Sequence, residues 1–590
     1  MLQKLTRAPF GLTLPSFTLL LMVFGVPITS LLFMSLNAPD WSFVNYQRFL
    51  SQSANIYVLL QTIEISIGAT AICLVIGYPT AYLIVTAPER QRTVFIVLVL
   101  IPWLTSGLVR TYAWTVILGD HGLINNVLVA SGLASSPVPL IYNRFAVFVG
   151  MVHIMLPMMI LPLLSVMYNI DKSLVAAARS MGARPFTAFW RVFLPLSLPG
   201  VRSGSLLVFV GCLGFYITPQ ALGGLRETML SKLIVNQLLV SANLGATAAT
   251  AFVLLAVTAV VLSIFGLDLS GSRERVRGAV GTKRRSWLSA QGAMGRWFNE
   301  LGTSWRASRW QRQLYRAAAQ VRWVEFAGAG FMTVVMVYLL VPGLIVIIMS
   351  FSAGDFIEFP PSAFSLRWYV AFFEDSTWTT SLSNSVEVAI DVALLATATG
   401  TLAAYGLGRM SPQSRSILTM MILMPITFPV VIVGVAAYYG LFHLHLIGTK
   451  TGLVLAHSIG ANAYVVVIVA ATLANFDRRL EQAAMSMRAG PLRTFWRVTL
   501  PLIRPGILGG AVFAFIASFD EAVVTSMISG YSIRTLPLRM LENVTQQIDP
   551  SIAAVGSLLT LLPVLWLFVL YVLYWRSRGK PQRAHAQAEA

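Results

Sequence analysis

A chain of 590 residues that is 56% hydrophobic and only 11% charged is not an ordinary soluble protein, which carries roughly 25% charged residues. The formal net charge of +19 would suggest nucleic acid in a soluble protein, but here the basic residues fall in short segments between apolar runs, the pattern of a membrane protein with its positive loops inside. Nucleic-acid binding is therefore set aside. The two cysteines, Cys73 and Cys212, lie inside apolar runs away from any His/Cys cluster, which argues against a structural disulfide or a metal site.

Lys4 and Arg7 precede an apolar stretch over 14–36. It is too long for a signal-peptide core and has no clear cleavage site, so it reads as an uncleaved first span. Further stretches long enough to cross a bilayer follow at 57–86, 94–118, 146–168, 198–219 and 247–268. A second set lies at 326–351, 383–408, 415–441, 452–475, 505–528 and 552–575. Basic residues at Lys4/Arg7, 88–92, after the fourth span, in the centre and at 576–583 alternate with loops holding Asp40, Asp120, Glu374, Asp375 and Asp549. That alternation puts both termini in the cytoplasm.

The chain repeats itself. Residues 171–204 and 477–510 are identical at 18 of 34 positions at an offset of 306, including Asp171/Asp477, Phe189/Phe495, Trp190/Trp496, Arg191/Arg497 and Pro195/Pro501. Earlier in each half an offset of 323 aligns Gly77/Gly400, Tyr82/Tyr405 and Pro102/Pro425. The change of offset places 17 extra residues in the first half, in the outer loop around 120–145. The expected fold is an all-α integral membrane protein of about 12 transmembrane helices, arranged as two parallel six-helix repeats with pseudo-two-fold symmetry about the membrane normal. The repeats cover 1–269 and 326–576, with a linker at 270–325 and a cytoplasmic tail at 577–590. The linker holds 12 Lys/Arg and three Glu, and from Arg296 to Trp323 aromatics alternate with arginines. It reads as an interfacial helix on the inner leaflet or as a solvated connector.

After each fourth span comes a polar, helix-forming segment, 171–195 and 477–501. Asp171 and Asp477 suit helix N-caps, Ala-, Met- and Arg-rich sequence follows, and Gly182 or Ala489–Gly490 breaks the helix before a Phe-Trp-Arg-Val run leads to Leu-Pro. A short helix lying across the membrane surface can fit a groove on a cytoplasmic partner. These segments resemble the EAA loop of ABC-importer permeases. Ala176, Ala177 and Ala178 take the EAA positions in the first half, as do Gln482, Ala483 and Ala484 in the second. Gly182 takes the motif's glycine, and Arg488 stands in its place in the second half. The resemblance implies that both segments, with Arg191, Arg497, Pro195 and Pro501, dock on two copies of a cytoplasmic ABC ATPase. It also implies a periplasmic substrate-binding protein and a location in the bacterial inner membrane. No phosphate-binding loop is present: the string from Gly448 to Thr451 lacks the Gly-Lys adjacency and the upstream glycine. The chain is read as no enzyme and as holding no cofactor, with ATP and Mg bound by the partner ATPase.

Ionisable groups inside spans cost about 2.5–3.5 kcal/mol each on insertion scales and so are functional candidates. Glu64, Arg110, Glu387, Asp391, Asp520 and Glu521 qualify. Glu64 and Glu387 match at offset 323. One reading has Glu64 pair with Arg110 to pin two helices, or reach the headgroups; the other has them line an outer vestibule. Asp520 and Glu521, placed inside the eleventh span, would give a pore wall that favours cations. Their surroundings, together with Gly214–Gly224 and Leu108–Trp114, resemble the spermidine/putrescine-type permeases, which adds Phe215, Tyr216 and Thr218 to the candidate substrate path. That subfamily has an acidic residue where this chain has Phe215, so an opine- or aminophosphonate-type zwitterion stays open beside a polyamine. A secondary transporter of the major-facilitator kind shares twelve spans and a central linker. Its motif belongs between the second and third spans, where this chain reads Ala87–Arg92 and Gly408–Gln413. A membrane-embedded enzyme lacks the necessary cluster of polar groups.

Overall fold

Stretches of apolar sequence flanked by Pro, Gly and charged residues become helices because a bilayer leaves backbone polar groups no partner but one another. The computed structural model describes residues 9–37, 39–265, 322–355, 358–530, 532–546, 550–561 and 565. Among these the regular elements are helical, with one isolated bridge between Ser352 and Phe364. Residues 1–267 with 339–590 form one unit; residues 268–338 form a second, whose described part is the start of helix Arg322–Met349.

The first half runs α1 (Phe10–Ser35), α2 (Val44–Ser51), α3 (Ser53–Thr86), α4 (Glu89–Leu104), α5 (Gly107–Leu118), α6 (Leu123–Ala130), α7 (Arg144–Tyr168), α8 (Lys172–Ser180), α9 (Pro185–Leu213), α10 (Ile217–Leu222), α11 (Leu230–Leu239) and α12 (Leu244–Phe265). The second runs α13 (Arg322–Met349), α14 (Arg367–Glu374), α15 (Ser376–Leu407), α16 (Pro412–Thr427), α17 (Val430–His443), α18 (Lys450–Ala474), α19 (Arg479–Ser486), α20 (Pro491–Phe519), α21 (Val523–Ile528), α22 (Leu536–Gln546) and α23 (Ser551–Leu561). The halves match element for element. α2 to α5 begin 323 residues before α14 to α17, and α7, α9 and α10 begin 306 before α18, α20 and α21. The extra residues of the first half form α6 and its flanking loop.

Nine of the described helices are long and apolar enough to cross a membrane, or up to eleven if each of two bent pairs counts as one span. The two third spans, expected straight at 94–118 and 415–441, are the bent pairs. α4 turns into α5 and α6 by 93°, and α16 turns into α17 by 102°. Thr105 and Ser106 are extended, with ψ of 152° and 132°. In the second half Phe428 is extended (ψ 145°), as a residue preceding proline is pushed to be, here by Pro429. The fifth spans also differ from expectation: the Phe-Trp-Arg-Val runs are not links between helices but single π turns, Phe189–Phe193 and Phe495–Thr499, inside continuous helices that end at Leu213 and Phe519. The expected interfacial helix between Arg296 and Trp323 lies almost wholly outside the described residues, as do Lys4, Arg7, Asp549, most of the twelfth span and the tail.

Small residues let the long helices approach. A Cβ on Gly77 would meet Met159 at 2.9 Å, and one on Gly400 would meet Val465 at the same distance. These are matching contacts, α3 on α7 and α15 on α18. The halves also interlock. α1 lies along α15 and α18 of the second half, with Asn462 donating to Ser16 Oγ at 2.5 Å and Thr399 donating to Asn462 Oδ1 at 3.0 Å.

Candidate functional site

The expected coupling segments fold alike. Asp171 caps α8 by accepting from the Ser173 N–H at 2.8 Å, which holds its carboxyl below the usual range. Asp477 accepts from Arg479 N–H at 2.9 Å at the start of α19. Ala176, Ala177, Gln482 and Ala483 are exposed, Ala484 is half-buried and Ala178 is buried. Both helices stop at a residue in the left-handed region, Gly182 with φ +85° and Arg488 with φ +61°. Only the first suits such a backbone without strain. Arg191 and Arg497 sit exposed in the π turns, and Pro195 and Pro501 sit exposed just beyond them. Around these segments large apolar side chains stand uncovered, among them Met181 and Met487 at 82% and 83% exposure, with Trp190 and Trp496. A matched pair of apolar knobs of this kind is what a grooved partner would bury.

The intramembrane candidates separate into two groups. Glu64 does not pair with Arg110. It accepts from Arg144 Nη1 at 2.7 Å, tying α3 to α7, and Glu387 pairs with Lys450 to tie α15 to α18 in the same way. The reason is reach: Arg110 is buried on α5 and turns inward, its Nε toward Ser106 O at 3.4 Å and its Nη1 toward Ile154 O at 3.5 Å. Asp391 is exposed on α15.

Asp520 is not inside a span helix. It is the residue that ends α20, and Glu521 follows it in the turn before α21. Glu521 Oε1 accepts from Val524 N–H at 2.8 Å and so caps α21. Asp520 reaches across to the other half: the N–H of Gly107, the first residue of α5, donates to its Oδ2 at 3.2 Å, and Ser106 and the Arg110 guanidinium face the same carboxylate. An anion at the amino end of a helix is well placed electrostatically. The matching turn of the first half, Gly214–Tyr216, meets the matching break of the second half. A Cβ on Gly214 would lie 3.1 Å from Pro429 Cβ and 3.2 Å from Val430 N. Thus the two bent spans and the two turns cross over between the halves, with a carboxylate at one crossing and none at the other. Phe215 and Tyr216 are half-buried beside Pro219, Gln220 and Lys232. Thr218 is buried and shares a hydrogen bond with Thr111 at 3.0 Å.

Two groups were missed in the sequence. His457, buried on α18, bonds Ser518 Oγ through Nδ1 and Thr525 Oγ1 through Nε2, both at 2.9 Å, and so braces the Asp520–Glu521 turn from both sides. A histidine within an apolar span was signal enough. Glu481, one residue before the motif's first position, is buried against Arg409. Among the described residues no cluster of three or more His, Cys, Asp or Glu could hold a metal.

The sequence pattern described as "Binding-protein-dependent transport system inner membrane component" matches residues 396–578. The spermidine/putrescine transport system permease protein PotB of Haemophilus influenzae is 37% identical over 186 residues, 32% of this chain and 65% of that protein, just under two thirds of its length. PotB of Salmonella typhimurium strain SL1344 is 33% identical over 221 residues, 38% of this chain and 77% of that one. This chain belongs to the binding-protein-dependent transport permeases. The putrescine transport system permease protein PotI of Escherichia coli K12 is also similar, 31% identical over 253 residues, 42% of the permease and 89% of PotI. A solved bacterial ABC transporter that imports the acidic polysaccharide alginate aligns with a TM-score of 0.34 at 16% identity, covering 43% of the permease and 96% of that chain. The permease is a fused, two-repeat, multi-pass inner-membrane protein, and the major-facilitator reading is not favoured.

Proposed function

We propose that this permease is the pore of an ATP-driven importer that moves a small polar solute, a polyamine-like cation or an opine- or aminophosphonate-type zwitterion, into the cytoplasm by alternating access. The two halves would stand about a pseudo-two-fold axis along the membrane normal, both termini in the cytoplasm. Two copies of a separate ABC ATPase would dock on α8 and α19, and a periplasmic binding protein would deliver the solute. The observation that carries the reading is the duplicated coupling segment: the same capped helix, left-handed stop, π turn and exposed methionine, in both halves. ATP binding would close the ATPase pair, draw α8 and α19 together and turn the pore outward.

The polyamine side of the proposal is supported by the similarity to proteins named for spermidine and putrescine transport and by the carboxylates Asp520 and Glu521 at the crossing. Glu64 and Glu387, exposed in the first half of α3 and of α15, and Asp391, exposed midway along α15, would belong to the approach of the solute. Co-purification tests it: a tagged permease drawn from the membrane of its own cell should bring down an ATPase and, with it, uptake of radiolabelled putrescine or spermidine on reconstitution. Recovery of the permease alone, with no ATPase in any detergent or nanodisc, would refute the importer.

A further inference from the structure

Helices α8 and α19, nine and eight residues long, are too short to hold a direction unaided. Their orientation depends on what clasps them to the rest of the permease. In the first half that clasp is apolar. Tyr82, at the inner end of α3, meets Phe193 edge-on at 5.1 Å and Phe189 at 5.3 Å, Phe189 and Phe193 stack at 5.8 Å, and Val175 of α8 is half-buried at the corresponding place.

The second half keeps Tyr405 and Phe495, 4.8 Å apart, but replaces the rest. At offset 306 Val175 becomes Glu481 and Phe193 becomes Thr499; at offset 323 Thr86 becomes Arg409. These three form one network. Arg409 Nη2 donates to both Glu481 oxygens at 2.6 Å, the Thr499 hydroxyl donates to Oε1, and the Tyr405 hydroxyl donates to it at 3.4 Å. Arg409 also lies over the Tyr405 ring at 3.3 Å and donates to the Tyr405 carbonyl at 3.0 Å. The Glu481 side chain is only 10% exposed. A buried charge pair of this geometry is directional, and removing either member leaves the other uncompensated.

We propose that Glu481 and Arg409 are a positioning pair that makes α19 rigid with the inner end of α15, whereas α8 is held by an aromatic clasp that can slide. This rests on α19 being a coupling helix. The two ATPase contacts of the permease would then differ in stiffness: the second half transmits motion through a charged strut, the first through apolar packing. The carboxylate just before the motif's first position faces inward, toward its own permease, while Gln482 beside it stays exposed toward the partner's side.

The test uses the full chain with its co-purified ATPase in nanodiscs, with Cys73 and Cys212 replaced by Ala and spin labels at positions 413 and 485, both exposed. Four variants are compared: E481Q, R409Q, the reversed pair E481R/R409E, and the triple E481V/R409T/T499F, which transplants the first half's clasp onto the resident Tyr405 and Phe495. In the single variants the label-to-label distance distribution should widen at least two-fold and ATP hydrolysis per complex should fall at least five-fold, with the ATPase still bound. The reversed pair and the triple should each recover hydrolysis to within about three-fold of the parent. Unchanged distance distributions and hydrolysis in the single variants would overturn the proposal, and so would failure of both compensated variants. A parent chain that binds no ATPase would remove the coupling reading instead, while the distance distributions still decide the strut.

Discussion

Gly107 and Asp520 join the two halves of the permease: the N–H that opens α5 donates to the carboxylate that closes α20, at 3.2 Å. Gly214 holds the position matching Asp520 and Val430 the one matching Gly107, so the second crossing has the same backbone geometry and no charge. Asp520 therefore puts its charge at one of two equivalent crossings and leaves the other without one. Asn at position 520 separates the two tasks of that group, since its carboxamide oxygen can still accept from Gly107 while the charge is gone. We predict that D520N inserts normally and loses at least ten-fold in putrescine uptake, and that D520A in addition costs about 2 kcal/mol of stability from the lost charge-assisted bond. Uptake and the thermal midpoint in detergent are the measurements. Parent-like uptake by D520N would show that the carboxylate only fastens the halves.

A residue in the left-handed region costs about 1–2 kcal/mol unless it is glycine. Arg488 sits there at φ +61°, exposed, at the position Gly182 occupies in the first half. Replacing Arg488 with Gly relieves the strain, offset in part by glycine's greater freedom in the unfolded chain. R488G should therefore stabilise the end of α19 by about 1 kcal/mol, and G182R should destabilise the end of α8 by a similar or larger amount. Hydrogen exchange at residues 481–489 and 175–183 reads both. Faster exchange in R488G would contradict the strain argument.

The repeat made much of this fold readable, because two offsets in the sequence, 323 and 306, fix which helices must correspond and where the extra loop lies. Asp171, Asp477 and Gly182 announced α8 and α19 through cap and stop chemistry that is local. The breaks in the third spans were hidden. Residues 102–107, Pro-Trp-Leu-Thr-Ser-Gly, dilute no hydropathy window enough to end a span, and only Pro429, two residues past Thr427, marks the second one. Asp520 reads as interior to a span because apolar sequence continues on both sides of it, whereas the helix stops at Phe519. Pairing was the hardest part to read. Glu64 and Arg110 lie on neighbouring spans, yet Arg144 reaches Glu64 first, because α7 packs directly on α3.

His457 has no counterpart in the first half, where Met151 stands at offset 306. Its two ring nitrogens hold Ser518, two residues before Asp520, and Thr525, beyond the break and within α21. Because one nitrogen of a neutral ring donates and the other accepts, the ring fixes both hydroxyls at once. H457M, which copies the first half, should leave the buried Ser518 hydroxyl without a partner at about 1–3 kcal/mol, while Thr525 keeps its bond to the Glu521 carbonyl, and should reduce uptake by loosening the turn that aims Asp520. H457Q, which keeps one donor and one acceptor, should retain more of both. Equal losses in the two variants would assign the effect to volume rather than to hydrogen bonding.

Ala177 and Ala483 are exposed on α8 and α19, next to Met181 and Met487 and clear of the contacts that hold each helix to the permease. A long charged side chain there costs the isolated permease little, since surface substitutions away from packing rarely exceed about 0.5 kcal/mol. Against a closely fitted groove the same side chain collides and must be desolvated. A177R and A483R should therefore insert and melt like the parent, while ATPase recovered with the tagged chain drops by about half, one docking site being intact, and uptake falls at least five-fold. Each variant disables one of two docking sites, so the double variant should abolish both readouts. If either single variant retained full ATPase recovery and full uptake, the face carrying that alanine would not be the contact, and the exposed methionines beside it would need another partner.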